Sequence, residues 1–378
     1  MGKEANLQEK CPLLDSAHSS QPLPRHVLVV HGGAGTITRE TSTPEQQAAY
    51  KAALSEALLS GYRVLRAGGD AIDAAVAAVT VLEDNPLFNA GKGAVFNIAG
   101  KNELETSVML SKPPASHPDI PASRRGLGLT SLTKAKNPSH LVRALYLAPS
   151  LVPHTFIAGS TVETIGEQLG ETLVDPSYFF TEHRWKEHRH GLGLPEEPYP
   201  YPPPEQKDDT IPMDRYPTGT VGAVALDVHG CISAVTSTGG MTNKLVGRIG
   251  DTPCMGSGYW AEEWDDTSLL SKIWTKVTGR KPGKKGVGIS STGNGDYFIR
   301  QGAAITIAHR VRYLQEPLEV AAAKVVGELL DAGGMGGVIA LDTDGNVTMP
   351  LNCEGMYRGF IKEDGVPKTA IFDDEDAA

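Results

Sequence analysis

The sequence predicts a mixed α and β fold whose strands are joined as hairpins rather than as regular βαβ repeats. Three observations carry this. Residues 220–227 and 231–238 are apolar, β-branched runs separated by a short turn that ends at Gly230. Residues 45–83 carry helical periodicity rich in alanine, leucine and valine, and it returns after residue 300. A strand at 337–342, the turn Thr343-Asp344-Gly345-Asn346 and a strand at 347–351 repeat the hairpin pattern.

The elements follow in order. Residues 1–25 read as a disordered polar tail without the apolar core of a secretion signal. Val27–Val30 is a short strand running into a turn at His31-Gly32-Gly33-Ala34-Gly35. Two helices fill 45–83 and meet at Ala67-Gly68-Gly69-Asp70. A turn-rich loop spans 83–93, strands flank Gly100 within 94–110, and the Pro/Ser-rich stretch 111–125 reads as exposed. Helices are expected at 138–148 and 160–169. Residues 180–218 combine histidines, prolines and charges without a period, and read as a structureless segment, with an exposed linker at about 186–218. After the 220–238 hairpin come a glycine-rich loop at 239–258, a helical or mixed region, a strand and loop at 287–296, helices at 301–316 and 317–332, and a last strand at 369–372.

Composition narrows the class. The chain has 378 residues, 40% hydrophobic and 21% charged, with net charge -10, as in a soluble enzyme. It has no Lys/Arg tract, which argues against nucleic acid as a partner. No run approaches the ~18 apolar residues of a membrane span. Four scattered cysteines form no zinc spacing and read as thiols of a reducing compartment, so the cytoplasm is the expected location.

The chemistry centres on Gly219-Thr220. Position alone favours an ordinary β-branched residue opening a strand. A cut before Thr220, however, gives it a hydroxyl and a free α-amine, whose pKa near ~8 makes it a base at neutral pH. The preceding loop, Gly219 and the hydroxyl run Thr236-Ser237-Thr238 shift the balance toward a nucleophile. Across the hairpin Thr238 is expected to bond the Thr220 hydroxyl. Arg248 and Asp251 suit the carboxylate and ammonium of an α-amino acid, or else a surface ion pair. Ser291-Thr292-Gly293-Asn294-Gly295-Asp296 offers a hydroxyl and backbone N–H groups for an oxyanion, or a plain turn. The glycines after His31 lack the lysine and spacing of a phosphate loop, and His31 reads as a structural hydrogen-bonding residue.

Together these motifs resemble the plant-type L-asparaginase, or isoaspartyl peptidase, family of N-terminal-nucleophile hydrolases. The matching stretches are HGGAG (31–35), LRAGGDAIDAAVAAVTVLEDNPLFNAGKGAVFN (65–97), NELETSVM (102–109), DPSYFFTEHRW (175–185), GTVGAVALD (219–227), TSTGGMTNKLVGRIGDTP (236–253), SSTGNGD (290–296) and GMYRG (355–359). The resemblance implies a single domain over 26–378 with an α+β fold, a four-layer αββα sandwich. It implies self-cleavage into an α chain ending at Gly219 and a β chain from Thr220 to 378, and a dimer of such αβ units. Thr220 is then the nucleophile and Thr238 its supporting hydroxyl. Thr292 and Gly293 form the oxyanion hole, Asn89 approaches the nucleophile, and Gly32 belongs to the maturation loop. Arg248 and Asp251 hold the substrate's α-groups, and Gly295 lines the pocket. A structural sodium or potassium ion is implied on main-chain carbonyls of Leu82, Glu83, Asn85, Phe88, Ala90 and Lys92, with no organic cofactor. The implied reaction is hydrolysis of L-asparagine and of β-aspartyl dipeptides. The chain departs from the pattern at Glu105, where relatives carry Asp, at Leu110-Ser111 in place of Asp-Gly, and at Cys353 in place of Thr.

Three alternatives stand beside this reading. A lysosomal-type glycosylasparaginase is expected to carry a signal peptide and Asn at position 239, which is Gly here. A taspase-like threonine endopeptidase does not need Asp251. An uncleaved homologue would be a scaffold protein.

Overall fold

The computed structural model describes residues 25–40, 42–198, 219–279 and 283–375. The tail expected at 1–25, apart from Arg25, and the part of the expected linker from 199 to 218 lie outside the described residues. The strands are β1 (Val27–Gly35), β2 (Leu104–Leu110), β3 (Gly126–Leu132), β4 (Phe156–Ala158), β5 (Val221–Leu226), β6 (Ile232–Thr238), β7 (Tyr259–Asp265), β8 (Lys284–Gly293), β9 (Gly336–Asp342), β10 (Val347–Thr348), β11 (Gly355–Ile361) and β12 (Lys368–Phe372). The helices are α1 (Pro44–Arg66), α2 (Ala71–Glu83), α3 (Pro138–Tyr146), α4 (Ser160–Gln168), α5 (Glu182–Gly191), α6 (Leu269–Thr278), α7 (Gly295–Gln301), α8 (Ala303–Tyr313) and α9 (Leu318–Asp331).

One sheet runs β12-β11-β1-β5-β6-β2-β3-β4 and a second runs β10-β9-β8-β7. All pairs are antiparallel except β3 with β4. Strand alternation divides the apolar side chains of the large sheet between two cores. Leu28, Val30, Ala223, Ala225 and Val235 join Leu54, Leu58, Ile72 and Val79 of α1 and α2. Their neighbours Val27, Val29, Val224, Leu226 and Ala234 join Ile289 and Ile339 of the second sheet, and Ile307, Val325 and Leu329 of α8 and α9. Each fully buried Val, Leu or Ile among these side chains contributes about 1.5–3 kcal/mol.

Local signals explain the helices next to the site. Thr43 and Gln46 cap α1 reciprocally, at 3.2 and 2.7 Å, with Pro44 as its first residue. Small residues bring α1 and α2 together: a Cβ on Gly61 would lie 2.5 Å from the Ala74 carbonyl oxygen.

Several sequence expectations are corrected. The 180–218 segment is not structureless throughout, because α5 occupies Glu182–Gly191. Its sequence is polar on all sides, so no apolar period announces it. It forms because Thr181 caps it and Arg184, Trp185 and His188 are buried by tertiary contacts. The expected turn at 31–35 is strand, with β1 continuing to Gly35 past an irregularity between His31 and Gly33. Only Leu104–Leu110 of the 94–110 segment is strand. β3 and β11 were not anticipated: glycine interrupts their apolar runs, yet pairing with strands on both sides holds each. The helix expected at 301–316 is α8, and a separate helix, α7, precedes it, ending at Gln301 before Gly302 with φ 54°.

Candidate active site

The β5–β6 hairpin places Val221 opposite Ser237, so Thr220 enters the strand beside Thr238. The expected bond between the two hydroxyls is replaced by another. Thr238 Oγ1 donates to the Gly219 carbonyl oxygen at 3.3 Å and accepts the Gly240 N–H at 2.9 Å. Asn89, on the turn after α2, donates to the same Gly219 oxygen at 2.9 Å and to the Gly240 oxygen at 2.7 Å. Its own Oδ1 accepts the Val95 N–H at 3.1 Å, which fixes the amide's orientation.

Thr292 closes β8 and lies on the nitrogen side of the same peptide. Its Oγ1 accepts the Thr220 N–H at 3.1 Å and the Ala34 N–H at 3.2 Å. Gly293 follows at φ 140°, packed so closely that a Cβ would lie 2.3 Å from the Met335 oxygen. The Gly219–Thr220 bond is therefore gripped at the carbonyl by Asn89 and Thr238, and at the nitrogen by Thr292.

β1 supplies the floor. A Cβ on Gly219 would lie 2.8 Å from Gly33 Cα, and one on Gly32 would lie 2.4 Å from the Phe88 ring. His31 is wholly buried, with Nδ1 2.7 Å from the Thr220 carbonyl oxygen and Nε2 2.8 Å from Ser290 Oγ. Burial pushes its pKa down to about 3, so the ring stays neutral and orients the backbone, as a structural residue does.

Arg248, Asp251 and Gly295 meet beside Thr220. With Thr220, Thr238 and Glu105 they line a recess that leaves about 30 Å³ of open space. A Cβ on Gly295 would lie 2.4 Å from Asp251 Oδ1 and 3.3 Å from Arg248 Nη2, so this glycine keeps the recess open. Arg248 and Asp251 do not pair with each other. The Arg248 guanidinium bonds Asp296 at 3.2 Å, while Asp251 Oδ2 is buried without a hydrogen-bond partner. Burial pushes the Asp251 carboxyl up to about 7. An unpaired buried carboxylate beside a guanidinium can receive an ammonium and a carboxylate.

Sequence reasoning did not place Glu105, Met241, Asn294 or Asp296 among the site residues, although all four stand inside quoted motifs. Glu105 lies on β2 opposite Thr238. That proximity is set by sheet order, which the local sequence does not encode.

Leu82 and Glu83 end α2, Asn85, Phe88 and Ala90 follow in the turn, and Lys92 sits in the 3₁₀ turn Gly91–Gly93. Among the described residues no cluster of His, Cys, Asp or Glu side chains is placed to hold a metal. The carbonyls are another matter. A Cβ on Gly91 would lie 2.4 Å from the Glu83 oxygen, and one on Gly93 2.2 Å from the Phe88 oxygen. The glycines thus leave room for the Glu83 and Phe88 oxygens, while the Leu82, Asn85 and Ala90 oxygens accept the Asn85, Phe88 and Gly93 N–H groups. The Glu83 carboxyl is engaged elsewhere, accepting from Ser139 and Ser237, and burial pushes it up to about 7.

Among the described residues no helix is long and apolar enough to cross a membrane. The sequence profile of a family described as Asparaginase matches residues 24–266 and 282–371. An isoaspartyl peptidase of Salmonella typhimurium is 37% identical over 348 residues, covering 92% of this chain and 98% of its own. A putative isoaspartyl peptidase/L-asparaginase of Dictyostelium discoideum is 35% identical, covering 89% and 93%. A probable isoaspartyl peptidase/L-asparaginase 2 of Arabidopsis thaliana is 32% identical, covering 92% and 98%. With a gripped Gly-Thr bond beside an arginine–aspartate recess, and profile matches along most of its length, the chain belongs to the asparaginase family of N-terminal-nucleophile hydrolases.

Proposed function

We propose that the chain cuts itself between Gly219 and Thr220 and then hydrolyses L-asparagine and β-aspartyl dipeptides. The observation that carries this reading is the convergence of Asn89, Thr238 and Thr292 on one peptide bond beside Arg248 and Asp251. In self-cleavage the Thr220 hydroxyl oxygen bonds the Gly219 carbonyl carbon, the C–N bond breaks, and the hydroxyl proton ends on the freed amine. Asn89 and Thr238 stabilise the oxyanion as it forms. Water then hydrolyses the ester, releasing the Gly219 carboxylate and leaving Thr220 at the head of the β chain.

In turnover the Thr220 amine takes the hydroxyl proton, and the oxygen attacks the side-chain amide carbon of the substrate. Thr292 and the Gly293 N–H serve as the oxyanion hole. The amine passes the proton to the leaving ammonia or peptide amine, and water resolves the acyl-enzyme. Arg248 and Asp251 hold the α-carboxylate and α-ammonium, which selects a free aspartyl end over a residue inside a chain. Gly32, in contact with Phe88, gives the maturation loop its close packing.

The two cores, lying on opposite faces of the large sheet, support the reading as a four-layer αββα sandwich. The carbonyls of Leu82, Glu83, Asn85, Phe88, Ala90 and Lys92 would hold a sodium or potassium ion that stiffens the turn carrying Asn89. We further read the mature form as a dimer of αβ units without an organic cofactor. The test is Thr220→Ala on the full chain. The expected result is one uncut band on a denaturing gel and no amide hydrolysis, where the parent gives two bands and releases ammonia from L-asparagine. Turnover by the variant would refute the assignment.

A further inference from the structure

We propose that Glu105 is a positioning residue for substrate capture: its buried carboxylate grips the Gly250 N–H and so fixes the loop that presents Arg248 and Asp251. The inference rests on the β-aspartyl reading of the recess. Glu105 stands on β2, directly across from Thr238, and is 1% exposed. Its two oxygens lie 3.0 and 3.1 Å from the Gly250 nitrogen, and Thr130 donates to Oε1 at 3.2 Å. A Cβ on Gly250 would lie 2.8 Å from Arg248 Nη1 and 2.9 Å from Glu105 Oε2. Guanidinium and carboxylate thus flank the same backbone atom, one residue before Asp251.

The loop needs such a tether. Leu245, Val246 and Ile249 are 68%, 59% and 38% exposed, so apolar packing does little to hold it. Polar bonds take over. Lys244 donates to the Glu103 oxygen at 2.7 Å, and the Gly247 N–H donates to the Glu103 carboxylate at 3.2 Å. Glu105 supplies the tether nearest Asp251. Its negative charge faces Lys244 and Arg248, which favour it, and Asp251, which it opposes. Asp251 in turn faces Arg248 and Asp296 besides Glu105. Relative to aspartate at this position, glutamate also brings the carboxylate one methylene further into the recess.

The test uses the self-cleaved full chain with Glu105→Gln, Glu105→Ala and Glu105→Asp. For L-asparagine, KM is expected to rise about tenfold or more in the Ala variant, a loss of about 1.4 kcal/mol in capture, while kcat stays within about threefold. Glu105→Asp should recover part of that KM by restoring the charge. Glu105→Gln keeps a carbonyl for Gly250 but removes the charge beside Asp251, so the acid limb of kcat/KM should move to lower pH. An unmoved limb, or a loss confined to kcat, overturns the proposal. If the Ala variant fails to fold, the Gln and Asp variants decide the question by the same two readouts. Calorimetric titration with L-aspartate separates this inference from the reading it rests on. A wild-type chain that binds L-aspartate but hydrolyses neither L-asparagine nor a β-aspartyl dipeptide defeats the reading alone, and a weaker affinity in Glu105→Ala, or in the shortened Glu105→Asp, still supports the positioning role. Equal affinity in wild type and these tether variants overturns it, and no binding by the wild type overturns both.

Discussion

The side-chain amide of Asn89 donates to the carbonyl oxygen of Gly219 at 2.9 Å, across 130 residues of chain. A turn at the end of a helix thereby reaches the one peptide bond that opens onto Thr220. The same amide nitrogen reaches the Gly240 oxygen, so it also pins the loop after β6.

Asn89→Ala is expected to slow self-cleavage by about 10²-fold, the usual cost of losing one oxyanion donor. Thr238 then stabilises the oxyanion alone. The Val95 N–H also loses its acceptor, which costs about 1–3 kcal/mol in stability. A gel time course of the freshly made chain measures the first effect, and cleavage at the parental rate would rule it out.

Asp251→Asn should weaken capture of the α-ammonium and yet stabilise the fold above pH 7. The sign follows from burial. Asp251 has a folded pKa near 7 against an unfolded value of about 3.9. Its protonated form is favoured in the fold, so its contribution is most favourable below pH 4 and is lost as pH rises through 7, at about 1.4 kcal/mol per unit. The variant's Tm advantage is expected to be absent at pH 4, to grow between pH 4 and 7, and to level off above.

His31 is expected to stay neutral throughout the physiological range. Its ring protons in an NMR titration should not shift between pH 5 and 8, since burial has pushed its pKa down to about 3. His31→Ala leaves the Thr220 carbonyl and Ser290 hydroxyl without that partner and should cost about 1–3 kcal/mol for each group left unsatisfied. An imidazole that titrates near 6.5 would contradict the buried arrangement.

Arg184→Ala should loosen α5. The guanidinium donates to the Gly93 oxygen at 2.9 Å and pairs with Glu187 at 3.1 Å. Breaking a buried pair from one side costs about 3–5 kcal/mol. Amide hydrogen exchange should accelerate over 182–191 and 87–93 together. Acceleration confined to the helix would mean that the two segments are not coupled.

Legibility differed from element to element. The 220–238 hairpin and helices α1, α2 and α9 were readable because each carries its own period over many residues. Helix α5 was hidden because its stability comes from Arg184 and Trp185 reaching across to other segments, and no apolar stripe marks it. β11 was hidden because it begins with glycine and is held by β1 and β12 on either side. At the site, the residue types around Thr220 were legible as motifs, but two pairings were not. Thr238 bonds Gly219 rather than the Thr220 hydroxyl, and Arg248 bonds Asp296 rather than Asp251.

The sequence by itself determined the chemistry on offer: a glycine–threonine bond at the head of an apolar strand, and an arginine and an aspartate in a glycine-rich loop. Those are properties of residue type and local spacing, and local spacing survives in a linear string. Only the tertiary structure decided which atoms meet. Sheet order puts Glu105 of β2 across from Thr238, and the end of β8 puts Thr292 on the Thr220 nitrogen. Hydrogen bonds at 3 Å depend on the packing of two sheets and their helices, which is cooperative over the whole chain and is not written in any one segment of it.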